Sequence, residues 1–305
     1  MTPVAGIDCG TNSIRLLISE GGVDLVREMR IVRLGQDVDR TGRLAPEAIE
    51  RTRLALLDYA ALIDTHGASD VRMVATSATR DAANRQDFVR MVHGLLGVEP
   101  GVITGIEEAA LSFAGAVGGL PELNGRLLVA DIGGGSTELV LGTPGTTELS
   151  SYSMDVGCVR MTERHLRDDP PTPAQIEATV SDLRTAITRA ALEVPITTAD
   201  TFVGVAGTVT TLVAIVLGLE QYRADVIHGA SITAEQVREV TARLLTMTRT
   251  QRLTLPVMHP GRADVIGGGA LVLRTLMEAT GAPAVIASEH DILDGIAASI
   301  AVDPV

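Results

Sequence analysis

Hydrophobic and polar positions along the chain follow two rhythms. Short apolar runs that end in a carboxylate and a glycine-rich turn alternate with longer stretches of 3.6-residue spacing, which predicts an α/β protein. Val4-Ala5-Gly6-Ile7 ends at Asp8, passes through Cys9-Gly10-Thr11-Asn12-Ser13 and resumes as Ile14-Arg15-Leu16-Leu17-Ile18. Leu127-Leu128-Val129-Ala130 ends at Asp131, turns through Gly133-Gly134-Gly135 and resumes as Leu139-Val140-Leu141. Each reads as a β-hairpin with backbone N–H groups at its tip, a place for an anion. An offset of 123 residues (131 − 8) superposes Asp8 on Asp131, Gly10 on Gly133, Ser13 on Ser136 and Leu16 on Leu139. A single glycine loop is an ordinary turn, whereas two in register predict an internal repeat: two α/β halves whose hairpin loops face a shared cleft.

The remaining pattern fills in each half. Strands are expected at 23–34, 71–75 and 101–103, with helices at 46–63, 84–96 and from Gly105 to Gly118-Gly119. The second half is expected to hold strands at 126–131, 136–142, 146–155 and 283–287 and helices at 157–167, 173–193, 234–247, 261–279 and 289–300. The turn-rich Pro121-Glu122-Leu123-Asn124-Gly125 marks a boundary, giving domains 1–123 and 124–305, with the last helix packing back on the first domain. Thr201 to Leu219 carries no charge and has the length of a membrane span. Its glycines and threonines and its lack of a basic flank favour a buried strand at 201–205, a turn at 206–208 and a core helix to 217.

Composition narrows the function. Aromatic residues make up 2% of the chain and Trp is absent, so the cores must be built from Val, Leu, Ile and Ala, and a platform for stacking bases is excluded. The net charge of −13 argues against nucleic acid or an acidic membrane as partner. The sequence contains no lysine: all 25 basic residues are Arg, which removes a P-loop lysine and Schiff-base chemistry and leaves the guanidinium fork as the cationic phosphate ligand. Cys9 and Cys158 are too few for a disulfide framework, and the N-terminus starts at once with a strand, so the expected compartment is a reducing cytoplasm.

Amides of the two loops and the hydroxyls of Thr11, Ser13, Ser136 and Thr137 are expected to donate to phosphate oxygens, and Asp131 and Glu138 suit a hard divalent cation. Ordinary turn chemistry is the competing account of the hydroxyls. Glu107 and Glu108 open a helix, where a carboxylate is favoured on electrostatic grounds alone. Arg80 in "TSATRDAAN" either meets phosphate or pairs with Asp81 or Asp87, and Arg262 in "HPGRADVIGGGA" has the same two readings. The six histidines show no metal-ligand spacing, and no G-x-S-x-G marks a serine nucleophile.

The blocks "GIDCGTNSIRLLI", "ATSATRDAAN", "GIEEAALSFAG", "VADIGGGSTELVL", "DVGCVRMTERHL", "GVAGTVTTL" and "PGRADVIGGGALVL" occur in this order. Their order resembles the exopolyphosphatase and guanosine-pentaphosphate phosphatase family, within the superfamily of sugar kinases, actin and heat-shock-protein ATPases. The resemblance implies two actin-like, ribonuclease H-like domains with an interdomain cleft, and Mg2+-assisted removal of terminal phosphoryl groups from inorganic polyphosphate or a guanosine polyphosphate. It implies Glu108 as the base that activates water and Asp131 with Glu138 as the magnesium site. Phosphate contacts would come from Arg80 and Arg262, from Gly10, Thr11, Asn12 and Ser13, and from Gly133, Gly134, Gly135, Ser136 and Thr137.

The sequence departs from the family pattern in three places. Ala110 stands where the family carries an arginine after Glu-Glu-Ala, which removes a cation from the neighbourhood of the base. The chain stops at Val305 without the C-terminal helical region of longer members, so a short two-domain form is expected. The missing lysine and acidic total charge point to a weak or short-chain polyphosphate enzyme. The alternatives to an exopolyphosphatase are a guanosine-pentaphosphate 5'-phosphohydrolase and a low-activity polyphosphate- or nucleotide-binding sensor, and the apolar helices of the second half leave room for a homodimer interface.

Overall fold

The computed structural model describes residues 2–120, 123–146 and 148–301. Pro121 and Glu122 of the expected boundary turn, and Val305, lie outside the described residues. The chain divides into two compact units: Met1–Gly115 with Asp291–Val305, and Ala116–His290. The division falls within the helix Gly105–Gly118.

The first unit is built on β1 (Val4–Cys9), β2 (Ser13–Glu20), β3 (Val23–Ile31), β4 (Asp70–Ala75) and β5 (Gly101–Val102), in the order β3-β2-β1-β4-β5. β1 to β3 form an antiparallel meander, and β4 and β5 add in parallel. Parallel pairing needs a crossover, and the helix Pro46–His66 supplies it between β3 and β4. Its inner face buries Leu56, Tyr59 and Ile63 with Phe88 of the helix Arg85–Leu96 against the sheet. Tyr59 is fully buried and its hydroxyl donates to the Ile14 carbonyl at 3.0 Å, so no polar atom is stranded there. The C-terminal helix Ile292–Ala301 covers β1, β2 and β4. It sets Ile292 and Ile296 against Val74 and Ile103, and Leu293 and Ala297 against Leu17.

The second unit repeats the pattern with β6 (Leu127–Ile132), β7 (Thr137–Gly142), β8 (Leu149–Met154), β9 (Thr201–Val205), β10 (Ser231–Thr233) and β11 (Ala284–Ala287), in the order β10-β11-β9-β6-β7-β8. Again a meander of three strands meets parallel neighbours, here β9 and β11. Both sheets therefore have the actin-like, ribonuclease H-like order that the family resemblance implies. β6 and β7 are buried along their whole length, which is why they read as nearly continuous apolar runs. The helices Ala206–Val216, Ala234–Thr246 and Ile266–Thr280 pack into one core with them, built from Leu, Ile, Val, Ala and Met with Phe202.

The uncharged stretch 201–219 forms β9 and the helix Ala206–Val216. No helix among the described residues is long and apolar enough to cross a membrane. Three boundaries differ from the sequence reading for physical reasons. β3 ends at Ile31, because the Asn12 carbonyl accepts the amides of Val32 and Arg33 at 3.0 and 2.9 Å and Arg33 turns left-handed at φ 49°. The helix expected from 261 starts at Ile266, after a turn in which the Arg262 amide bonds the His259 carbonyl at 2.9 Å and the Val265 amide bonds that of Arg262 at 3.0 Å. No separate turn occupies 206–208: the chain bends at Ala206 alone, at φ 67°.

An L-residue with a side chain is strained in that region by about 1–2 kcal/mol. Ala206→Gly is therefore expected to raise the unfolding free energy by up to about 1 kcal/mol, after the entropy that glycine adds to the unfolded chain. A urea titration of the intact protein checks this, and a fall in the midpoint would contradict it.

Candidate active site

The loop between β1 and β2 is held shut from within. The Gly10 amide bonds the Ser13 carbonyl at 3.0 Å, and the Thr11 carbonyl accepts the Gly35 amide at 2.9 Å. The Thr11 and Ser77 hydroxyls are buried and 2.9 Å apart, which ties this loop to the start of the helix Ser77–Asp81 within "TSATRD". The Gly10 N–H, expected to face an anion, is taken up by loop closure. The Asn12 carbonyl, as described above, anchors the chain leaving β3.

Glu107 and Glu108 part company at the start of the helix Gly105–Gly118. Glu107 accepts from the Thr104 amide and hydroxyl at 2.8 and 2.9 Å while its own amide bonds the Thr104 hydroxyl, a reciprocal cap. These bonds hold its pKa below the ordinary 4.5. Glu108 points inward, buried, and its Oε2 lies 3.1 Å from Nη1 of Arg80. The same Nη1 donates to the Ile103 carbonyl at 3.0 Å. The pairing of Arg80 with Asp81 or Asp87 left open by the sequence does not occur: Arg80 reaches Glu108, and Asp87 pairs with Arg90. A cation therefore does stand beside Glu108. Ala110 sits on the exposed side of its helix, two residues or about 200° around from Glu108.

In the second unit the antiparallel register of β6 and β7 sets Asp131 directly opposite Glu138. Residues opposite each other share a face, with Cβ atoms about 5 Å apart. Both carboxylates are buried, and the Ser153 hydroxyl on β8 donates to Glu138 Oε1 at 2.7 Å. The corresponding pair on β1 and β2 is Asp8 opposite Arg15. Arg15 donates from Nε and Nη2 to Asp8 Oδ2 at 3.0 and 2.6 Å and reaches Asp291 with Nη1. Burial pushes the Asp8 pKa above 3.8 in spite of the arginine, so this carboxylate depends on its partner. Equivalent positions of the repeat thus carry opposite chemistry: a self-neutralised Asp–Arg pair in one hairpin and two carboxylates in the other.

The loop between β6 and β7 closes in the same way, through the Gly133 amide to the Ser136 carbonyl at 3.1 Å, so that N–H too is internal. Its carbonyls are gripped by the start of the helix Cys158–Arg164. The Gly133 carbonyl accepts from the Cys158 amide at 2.9 Å, that of Gly134 from Val159 and Arg160 at 2.8 and 3.1 Å, and that of Gly135 from Arg160 Nε at 2.7 Å. Three successive loop carbonyls are thus held by one helix start. Gly157 permits the approach, since a Cβ there would lie 2.5 Å from the Gly134 oxygen. The sequence reading assigned Gly157, Cys158 and Arg160 no role, although "DVGCVR" stood among its blocks. Burial pushes the Cys158 thiol up to about 11, which keeps it protonated beside the loop at neutral pH.

Two further predicted residues find definite places. Thr137 is buried and its hydroxyl donates to the Val156 carbonyl at 2.6 Å, so it braces the hairpin instead of offering its proton to an anion. Arg262 forms no ion pair with any described residue. Its Nη1 donates to the Thr211 hydroxyl at 3.1 Å, and a Cβ on Gly207 would lie 2.3 Å from its Cζ, so only glycine lets the guanidinium lie flat on that helix start.

Among the described residues no group of three or more His, Cys, Asp or Glu side chains is placed to hold a metal. Magnesium does not require one: it takes one or two carboxylates and completes its shell with water and phosphate oxygens. Asp131 and Glu138 are a donor set of that kind.

The sequence profile of the Ppx/GppA phosphatase family matches residues 18–302. The chain belongs to this family. It is 52% identical over 318 residues to exopolyphosphatase 2 of Mycobacterium tuberculosis, with 99% of each chain covered. The crystal structure of the Aquifex aeolicus Ppx/GppA family member is similar with a TM-score of 0.80 and 29% identity, over 98% of both chains. An exopolyphosphatase from Cytophaga hutchinsonii, at 23% identity, shares the fold with a TM-score of 0.90 over 98% of this chain and 97% of that one.

For a Ppx/GppA phosphatase the contrast between the two glutamates is directly testable. Glu107→Ala is expected to lower the melting temperature and leave kcat within about twofold, whereas Glu108→Gln should lower kcat by about 100-fold or more and leave the melting temperature nearly unchanged. Steady-state phosphate release beside thermal melts measures both, and a reversal of the two phenotypes would overturn the assignment.

Proposed function

We propose that the protein is a magnesium-dependent exopolyphosphatase that releases terminal orthophosphate from inorganic polyphosphate. The observation that carries this reading is the buried pair Asp131 and Glu138 beside the Gly133–Ser136 loop, in a chain 52% identical over its length to a protein named exopolyphosphatase 2.

Hydrolysis of a phosphoric anhydride calls for positioning and charge neutralisation more than covalent chemistry. Magnesium, when bound, would neutralise charge on the phosphate oxygens and orient the terminal group. Asp131 and Glu138 would hold it, with Glu138 kept in place by Ser153. The loop amides from Gly134 to Ser136 and the Arg262 fork would bind phosphate oxygens. Arg80 keeps one nitrogen on Glu108 and the Ile103 carbonyl, leaving Nε and Nη2 without a partner among the described residues and open to a phosphate. Glu108 would accept the proton of the attacking water as the water oxygen bonds to the terminal phosphorus and the bridging P–O bond breaks. The chain shortened by one phosphate then departs with the negative charge.

The identity of the substrate is decided by measuring phosphate release with Mg2+ from short polyphosphate, long polyphosphate and guanosine pentaphosphate. The expected result is turnover of polyphosphate, best with short chains, that stops when the metal is chelated. Cleavage of guanosine pentaphosphate with polyphosphate untouched would contradict it, as would binding of every substrate with none turned over.

A further inference from the structure

We infer that the second unit carries a separate regulatory pocket for a compact organic anion, one carboxylate or phosphate group on an apolar body about the size of a benzene ring. A cavity of about 180 Å³ lies among the helix Cys158–Arg164, the loop 167–171, the end of the helix Ala234–Thr246, the turn at Arg249–Arg252 and the start of the helix Ile266–Thr280. An apolar cavity of about 150 Å³ is enough to take up benzene. Leu166, Leu244 and Leu245 form the apolar wall.

The polar wall carries three carboxylates, each with at least one partner, and two arginines whose guanidiniums have none among the described residues. Asp169 accepts the Arg249 amide with both oxygens at 2.8 Å and Arg252 Nη2 at 2.6 Å. Asp168 accepts from Gln175 at 3.1 Å, and Asp264 is engaged as well. The guanidiniums of Arg167 and Arg249, in contrast, make no hydrogen bond or ion pair with any described residue, and both line the cavity. Arg252 is 5% exposed, and its Nε is buried without a hydrogen-bond partner. A buried N–H left unmade costs about 1–3 kcal/mol, a penalty native folds accept where a ligand or a functional demand offsets it. Unpaired guanidiniums above a leucine wall match an anion with an apolar body, and they disfavour a cation.

Two walls of the cavity adjoin elements of the proposed phosphate site. Thr162 lines it from the helix whose first turn grips the carbonyls of Gly133, Gly134 and Gly135. Arg252 Nη1 donates at 2.7 Å to the carbonyl of Ala263, next in sequence to Arg262. A ligand drawing on Arg252 would therefore act on both the loop and the arginine that face phosphate. Binding at the cavity stands by itself, whereas its effect on turnover rests on the phosphatase reading above.

The test uses benzoate, a carboxylate with no phosphoryl group, titrated calorimetrically into the intact protein with benzamide as the neutral control. One benzoate should bind per chain and benzamide should not. Affinity should fall about tenfold in Arg249→Ala and in Arg167→Ala, whose guanidiniums make no hydrogen bond or ion pair with a described residue, and should be unchanged in Glu108→Gln. Benzoate should also alter the KM for polyphosphate in the wild type and leave that of Arg249→Ala untouched. No binding of benzoate, equal binding of benzamide, or affinity unchanged in both arginine variants would overturn the pocket. Binding with these properties but without any change in KM would overturn its regulatory role alone.

Discussion

The antiparallel register of β6 on β7 is the constraint on which the site depends. It sets Asp131 across from Glu138 on one face of a wholly buried hairpin, where two carboxylates are tolerable only with compensating groups nearby. A slip of one residue would send Glu138 to the other face and place Leu139 opposite Asp131. Several contacts resist that slip. The Gly133–Ser136 closure fixes the turn, Thr137 holds the Val156 carbonyl, and the helix start at Cys158–Arg160 binds three successive loop carbonyls.

The same hairpin in the first unit shows what one substitution in a repeat can do. Arg15, in the place of Glu138, satisfies Asp8 and continues to Asp291 at the head of the C-terminal helix, so the pair becomes a structural tie. Arginine performs the other cationic roles too. Its fork lets one residue meet two partners at once: Arg80 bonds Glu108 and the Ile103 carbonyl, and Arg160 uses its Nε and its amide on adjacent carbonyls. A lysine ammonium, a point charge on a flexible stem, would not reproduce these paired geometries.

Local signals made much of this legible. The two hairpins, their glycine loops and the repeat rest on period-two alternation and turn chemistry, which neighbouring residues determine, and the long helices Pro46–His66 and Pro173–Glu193 carry proline starts and clear periodicity. Contacts made at long range stayed hidden. Spacing alone could not separate Glu107 from Glu108, which only the family resemblance did, because the difference lies in Thr104 on one side and Arg80, 28 residues away, on the other. Gly157 to Arg160 went unassigned because their partners lie more than twenty residues earlier. The divergent pair, Arg15 against Glu138, was readable within the aligned repeat, one position before Leu16 and Leu139. Thr137 misled because a hydroxyl beside a glycine loop resembles a phosphate donor until the fold turns it onto Val156.

The account turns on Asp131 and Glu138 acting as a metal pair, and the measurement that tests this most directly is a Mn2+ titration followed by electron paramagnetic resonance. The wild-type protein and Arg15→Met should each bind one ion per chain at the same site, and Glu138→Gln and Asp131→Asn should lose it while remaining folded. Equal Mn2+ binding by the wild type and both carboxylate variants would contradict the account.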